Sequence, residues 1–165
     1  MVDFQLNNKQ TDENINQFLL FYLGGELYAT PLLQVKEIVK LMPTKKIPFM
    51  KNYFKGLINL RGQVISVIDL RMKLGMTIKD PNQCLIMIVE NNGNSVGVIF
   101  DDLHSVHIFN KEDLNLNQSN DDSEKNKYFI GVGHLKENAL VNLIDLGLCI
   151  GGEDMRLLTE IKHSA

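Results

Sequence analysis

The chain has 165 residues, 17 of them Lys or Arg and 20 Asp or Glu, for a net charge of −3 with histidines neutral. That length fits one domain or two very small ones and excludes a large multidomain enzyme, while 44% hydrophobic and 22% charged residues exclude wholesale disorder, coiled coil and collagen. The weak negative balance supplies no field for phosphate backbones, so no nucleic-acid partner is expected; local basic spots such as Lys45-Lys46 stay open as contact points.

Residues 1–15 are polar and Asn/Gln-rich, without periodicity, and read as a disordered leader. They contain no apolar signal-peptide core, and no apolar run in the chain approaches the 18 residues of a membrane span, so a cytoplasmic location without membrane insertion is the expectation. From residue 16, QFLLFYL (17–23), Gly24-Gly25 and ELYAT (26–30) have the form of a β-hairpin closed by Pro31. A third run over 35–42 leads into a proline- and lysine-bearing loop around Pro43, Lys45, Lys46 and Pro48. Strands resume over 55–60, turn at Arg61-Gly62 and return over 63–69.

The second half repeats this grammar: a strand over 84–90, a turn at Asn91-Asn92-Gly93, strands over 95–100 and 103–109, a polar connection, then strands over 129–135 and 139–145. FKGLINL (54–60) aligns with FIGVGHL (129–135) 75 positions on, and VIDL (67–70) with LIDL (143–146) 76 positions on. Phe, Gly, Leu and Asp in the same order point to an internal duplication. Several strands are apolar on consecutive residues and must be covered on both faces, which two curled sheets packed together provide. The expected fold is therefore mainly β: two five-stranded barrels, with subdomains at about 16–80 and 83–146 inside an ordered region of 16–160, short helices, and a C-terminal helix at about 153–162. Units of this size are marginal alone, so stability should depend on the interface between them.

The chemistry of a catalyst is not visible. Phosphate-binding glycine loops, a nucleophile elbow and an H-E-x-x-H zinc site are all missing. His104 and His107 lie three apart on a strand and face opposite ways, so they cannot chelate one metal. Asp101-Asp102 reads as a solvated turn, and Asp69 and Asp145, each before a leucine that opens a helical turn, as helix caps. Cys84 and Cys149 read as buried thiols of a reducing compartment. No catalytic, metal or cofactor residue is assigned.

Two features stand out. Arg61 sits at the tip of a tight turn, where it is either a solvated charge or a forked donor for a partner's carboxylate. Period-two geometry places Glu37 on one face with Val35, Val39 and Leu41, which marks either a strand end or a docking surface with an acid in it.

The strings FLLFYL (18–23), VKEI (35–38), FKGLINLRGQVISVIDLR (54–71), VGVIFDDLHSV (96–106) and FIGV (129–132) resemble the bacterial chemotaxis coupling family, CheW, over about residues 16–158. The resemblance implies two SH3-like five-stranded barrels and a non-catalytic adaptor, a monomer when free. Its partners would be the cytoplasmic tip of methyl-accepting chemoreceptors and the regulatory domain of the CheA-type histidine kinase, at membrane-associated receptor arrays. It also implies that Glu37, Arg61 and Gly62 serve the receptor and kinase contacts and that Leu32, Val35 and Ile38 line their apolar part. A same-fold adaptor of a related chemosensory or surface-motility pathway is the alternative within the family; a small β-barrel ligand-binding protein is the alternative outside it. The family often has a proline in the strand where this chain reads Ile65-Ser66-Val67, and the polar stretch 115–127 stands where it usually has prolines and a large apolar residue. The latter is expected to be a mobile loop that weakens ring closure between kinase and adaptor.

Overall fold

The structure, a computed structural model, describes residues 16–117 and 127–164. Its strands are β1 (Gln17–Leu23), β2 (Glu26–Pro31), β3 (Val35–Lys40), β4 (Phe54–Leu60), β5 (Gln63–Asp69), β6 (Leu85–Asn91), β7 (Asn94–Phe100), β8 (Asp102–Ile108), β9 (Leu114–Leu116), β10 (Phe129–His134) and β11 (Leu140–Ile144). Helices α1 (Leu70–Lys73), α2 (Leu146–Cys149) and α3 (Gly152–Ser164) complete the frame, with a 3-10 turn at Leu32–Gln34. The leader 1–15 and residues 118–126 of the polar connection lie outside the described residues.

The strands form two sheets, one of five strands in the order β3-β6-β7-β5-β4 and one of six in the order β8-β1-β2-β11-β10-β9. Consecutive apolar residues divide between three cores, as strands covered on both faces require. In β6 and β5, Ile86, Ile88, Ile65 and Val67 fill the five-stranded barrel, and in β1 Phe18 and Leu20 fill the six-stranded one. The alternate residues Leu19, Phe21, Leu23, Ile68, Met87 and Val89, joined by Val96, Val98 and Phe100 of β7, meet in the core between the sheets.

The sheets do not follow the contiguous halves 16–80 and 83–146. Position by position, β3, β6, β7, β5 and β4 correspond to β8, β1, β2, β11 and β10. The first hairpin of each repeat therefore sits in the sheet built by the other, seated by the parallel pairs β5–β7 and β11–β2. Periodicity reports that a hairpin is buried on both faces but not which sheet edge it joins, and this long-range choice is where the sequence boundaries fail. The sixth strand is a second departure from the expected five. The short β9 pairs with β10, whereas its counterpart in the other barrel is a single bridge, Lys45 to Leu57. Residues 115–116 of the polar connection are thus strand rather than loop.

Local chemistry is duplicated as well. Each repeat has a bulge after its phenylalanine, between Phe54 and Gly56 and between Phe129 and Gly131, with φ of +126° and +150° at the glycines. A Cβ on either would lie 2.3 Å from a carbonyl oxygen, that of Lys45 or of Asn115, a contact only glycine avoids. Asp69 and Asp145 cap α1 and α2 by accepting from the backbone N–H of Arg71 at 3.1 Å and of Leu148 at 3.0 Å. Helix α3 seats Leu158 and Met155 on the inter-sheet core, and its Asp154 accepts from the Tyr53 hydroxyl at 2.6 Å and pairs with the Lys73 ammonium. Among the described residues no helix is long and apolar enough to cross a membrane.

Candidate partner-docking site

Strands β4 and β5 are joined by a two-residue turn in which Leu60 pairs with Gln63. Both central residues have positive φ, +51° at Arg61 and +85° at Gly62, the primed geometry that matches strand twist. The Gly62 N–H donates to Asn59 Oδ1 at 2.9 Å, locking the turn. Asn, Asp or Gly is the usual choice at the first position, so an arginine there holds a disfavoured backbone conformation.

The Arg61 side chain is 74% exposed, and its Nη1 donates to Glu37 Oε1 at 2.8 Å; Glu37 is 25% exposed. Glu37 lies on β3 and Arg61 at the end of β4, the two opposite edges of the five-stranded sheet. The pair can form only because the sheet curls until its edges meet, and it sits over the mouth of that barrel. A groove beside it is lined by Leu60, Gln63, Ile65, Ile88 and Ser95. An ion pair this exposed contributes about 0–1 kcal/mol to stability, so it does little to hold the fold.

Glu37 does not share a face with Val35. A bulge between Val35 and Glu37 sets Val35 opposite Val89 but Glu37 opposite Ile88, and the extra residue breaks the period of two. Val35 and Ile38 pack with Leu32 on the inter-sheet core, and Val39 packs on the barrel core. The sequence-predicted residues therefore form two groups joined by β3: Glu37, Arg61 and Gly62 at the barrel mouth, and half-buried Leu32, Val35 and Ile38 on the seam between the sheets. Leu33, next to Leu32, is 73% exposed and was not singled out by sequence. Its signal was local: three residues between Pro31 and a strand leave room for one tight turn, whose middle side chain points outward. Gln34 fixes that turn by accepting from the Leu146 N–H at 3.0 Å and the Thr30 hydroxyl at 3.1 Å.

Sequence reasoning also missed a buried charge network. Arg71, 2% exposed, donates to both oxygens of Asp69, through Nε at 3.0 Å and Nη2 at 2.8 Å, and through Nη1 to Asp101 at 2.7 Å. The other oxygen of Asp101 accepts from the Gly24 N–H at 2.6 Å. Hydrogen bonding to Asp69, then to Asp101, holds the guanidinium pKa above its ordinary value against the opposing cost of burial. Asp101 is therefore no solvated turn: it lies where β7 of one sheet passes into β8 of the other, and ties Arg71 to the β1–β2 hairpin. Asp69 is a cap, as expected, and an ion-pair partner besides.

Both cysteines are free and buried. Burial pushes the Cys149 thiol up to about 12, and it raises that of Cys84, so both stay protonated and unreactive at neutral pH. His104 and His107 do not converge: His104 Nδ1 lies 2.7 Å from the Ser105 hydroxyl and His107 stacks edge-on against Phe109.

Residues 17–152 match the family model described as a CheW-like domain. The chain is 30% identical over 159 residues to the chemotaxis protein CheW of Klebsiella aerogenes, covering 95% of each. To CheW of Bacillus subtilis it is 28% identical over 140 residues, covering 83% of this chain and 88% of the relative. Among solved structures it resembles the scaffolding protein CheW of Thermoanaerobacter tengcongensis, with a TM-score of 0.73 and 26% identity over 84% of this chain and 94% of that one. With a family match over residues 17–152, and the two-sheet architecture that goes with it, the chain belongs to the CheW-like family.

Proposed function

We propose that this chain is a non-catalytic adaptor that couples the cytoplasmic tips of methyl-accepting chemoreceptors to the regulatory domain of a CheA-type histidine kinase. The observation that carries the reading is the Glu37–Arg61 pair, a charged device at the barrel mouth that stabilises the fold little and holds its arginine in an unfavoured backbone conformation. Arg61 has five N–H donors and spends one on Glu37. The remaining fork is pre-oriented for a partner carboxylate, and desolvation in an interface strengthens such a contact. Along β3 the half-buried Leu32, Val35 and Ile38, with exposed Leu33, supply the apolar area. Affinity then comes from the apolar seam, and register from the charges. Receptor state reaches the kinase through shared packing, with no reaction in this chain.

The test is co-elution on size exclusion with a CheA-type regulatory domain and with a receptor cytoplasmic fragment. The native chain should co-elute with each, and Arg61→Glu should lose at least one while keeping its thermal midpoint. Failure of the native chain to bind either protein would sink the adaptor reading.

A further inference from the structure

Helix α3 crosses from one sheet to the other. Its chain leaves the six-stranded sheet through β11 and α2, and its first turn is fastened beside the five-stranded sheet, to residues next to β4 and β5. Asp154 is 7% exposed. It accepts from the Tyr53 hydroxyl at 2.6 Å and pairs with the ammonium of Lys73, at the end of α1, and at 3.8 Å with that of Lys51. Glu153 adds a second contact to Lys51 at 3.7 Å. A carboxylate held by one hydroxyl and two ammonium groups is a latch.

Beyond the latch, α3 is lightly held. Among its described side chains only Asp154 and Leu158 are buried; Met155 and Leu158 rest on the inter-sheet core, and Leu157 and Leu158 cover a small cleft lined by Met50, Phe54 and Ile68. That is little apolar area to set against the conformational entropy of 13 residues. The connection before the helix is Gly151-Gly152. Neither glycine has positive φ, and an added Cβ would meet nothing within 4 Å at Gly152 and only the Leu148 carbonyl oxygen, at 3.9 Å, at Gly151. The closed geometry therefore requires glycine at neither position. What two glycines supply is backbone freedom between α2 and α3, which is a hinge.

We infer that α3 is a hinged strap, which opens about Gly151-Gly152 as one body while both barrels stay folded, releasing a tie between the two sheets and uncovering the cleft at Phe54 and Ile68. The inference goes beyond the adaptor reading and stands without it, since hinge, latch and seat all belong to this chain. Return of α3 to its own seat is favoured over exchange between two copies, because a two-residue hinge holds the helix there at high effective concentration. Closed, the strap stiffens the joint between the sheets; open, it leaves that joint to the rest of the inter-sheet core.

The experiment is residue-resolved amide hydrogen exchange on the full native chain, on Asp154→Asn and on the double variant Gly151→Ala, Gly152→Ala, in low urea and at two protein concentrations. In the native chain the α3 amides should share one opening equilibrium and exchange at least about tenfold faster than those of β6 and β7, with a weak urea dependence because the opening exposes little surface. Asp154→Asn keeps an acceptor for Tyr53 but loses the charge that Lys51 and Lys73 bind, and should speed α3 exchange by about tenfold while β6 and β7 keep their rates. The double alanine variant should slow α3 exchange about fivefold, because the open chain then has less freedom to gain. Exchange of α3 together with β6 and β7, at one rate and with one urea dependence, overturns the inference, since the helix would open only with the whole fold. A gradient of rates rising toward Ser164 overturns it in favour of fraying, and rates that change with protein concentration overturn it in favour of exchange between copies. Equal loss of protection in α3 and in β6 and β7 on Asp154→Asn would remove the latch, and unchanged α3 rates in the double alanine variant would remove the hinge; either result overturns it too.

Discussion

The two barrels keep the same frame and differ at their mouths. Val35 and Glu37 lie opposite Val89 and Ile88, and in the other sheet Leu103 and Ser105 lie opposite Phe21 and Leu20. Glu37 thus has Ser105 as its counterpart. The Arg61-Gly62 turn has as its counterpart a longer turn, Lys136–Asn138, closed by the Leu135 N–H on the Ala139 carbonyl at 2.8 Å. Bulge glycines, capping aspartates and the phenylalanine before each bulge are shared. What both barrels retain serves folding, and what one barrel alone carries is either an added stabiliser, when it is buried, or the candidate for function, when it is exposed and stabilises little.

The largest test of that division concerns a charge network only one repeat carries. Asp69 and Asp145 are both caps, but Arg71 follows Asp69 where Gly147 follows Asp145. Replacing Arg71 by methionine strands two carboxylates around a buried site and should cost about 3–5 kcal/mol. Asp145→Ala removes a cap alone and should cost about 1 kcal/mol. Urea denaturation measures both, and equal losses would mean that the network is not what distinguishes the repeats.

The bulge glycines make the opposite prediction, equality. Gly56→Ala and Gly131→Ala each drive a methyl against a backbone carbonyl at positive φ, and each should cost about 2–3 kcal/mol from strain and overpacking. A large inequality between them would break the equivalence of the two bulges.

A smaller effect appears at high pH through Cys149, whose counterpart in the first repeat is Lys73, the last residue of α1. Burial raises its pKa in the folded state to about 12 from an ordinary value of 9.0. The raised value means full stabilisation below pH 9 and loss as pH climbs toward 12, because the unfolded thiol ionises first. The slope is at most about 1.4 kcal/mol per pH unit. The stability gap between the native chain and Cys149→Ala, followed by urea denaturation, should narrow over that window. A constant gap would show that the thiol titrates normally.

Much of this was legible in the sequence for identifiable reasons. Consecutive apolar residues in FLLFYL required cover on both faces, and Leu19 and Leu20 do divide between two cores. Turns written as Gly24-Gly25 and Asn92-Gly93 declared their positive φ. The exchange of hairpins was not legible, since β1 and β6 are both doubly buried and nothing local selects a sheet edge. Nor was the Arg71 network: Asp69, Arg71 and Asp101 are brought together by three elements, and charged residues in sequence read as solvated until a fold buries them. Glu37 and Arg61 were each visible as exceptions to a pattern, but their pairing depends on closure of a barrel, and the bulge before Glu37 reversed the face assigned to Val35.

The smallest effect decides what Arg61 is for. If the arginine served the fold, replacing it would cost stability; the geometry predicts the reverse. Arg61→Asn retains a residue suited to positive φ and gives up one exposed ion pair, so unfolding free energy should change by no more than about 0.5 kcal/mol. A double-mutant cycle of Arg61→Ala and Glu37→Ala should return a coupling of similar size, since the pair lies in high dielectric and its side chains lose entropy on pairing. The same cycle measured on partner binding should give a larger coupling, because an interface removes the water that screens the pair. A cycle with large coupling in folding and none in binding would make the pair a barrel clasp, and the site would then have to be sought along the seam at Leu32, Leu33, Val35 and Ile38.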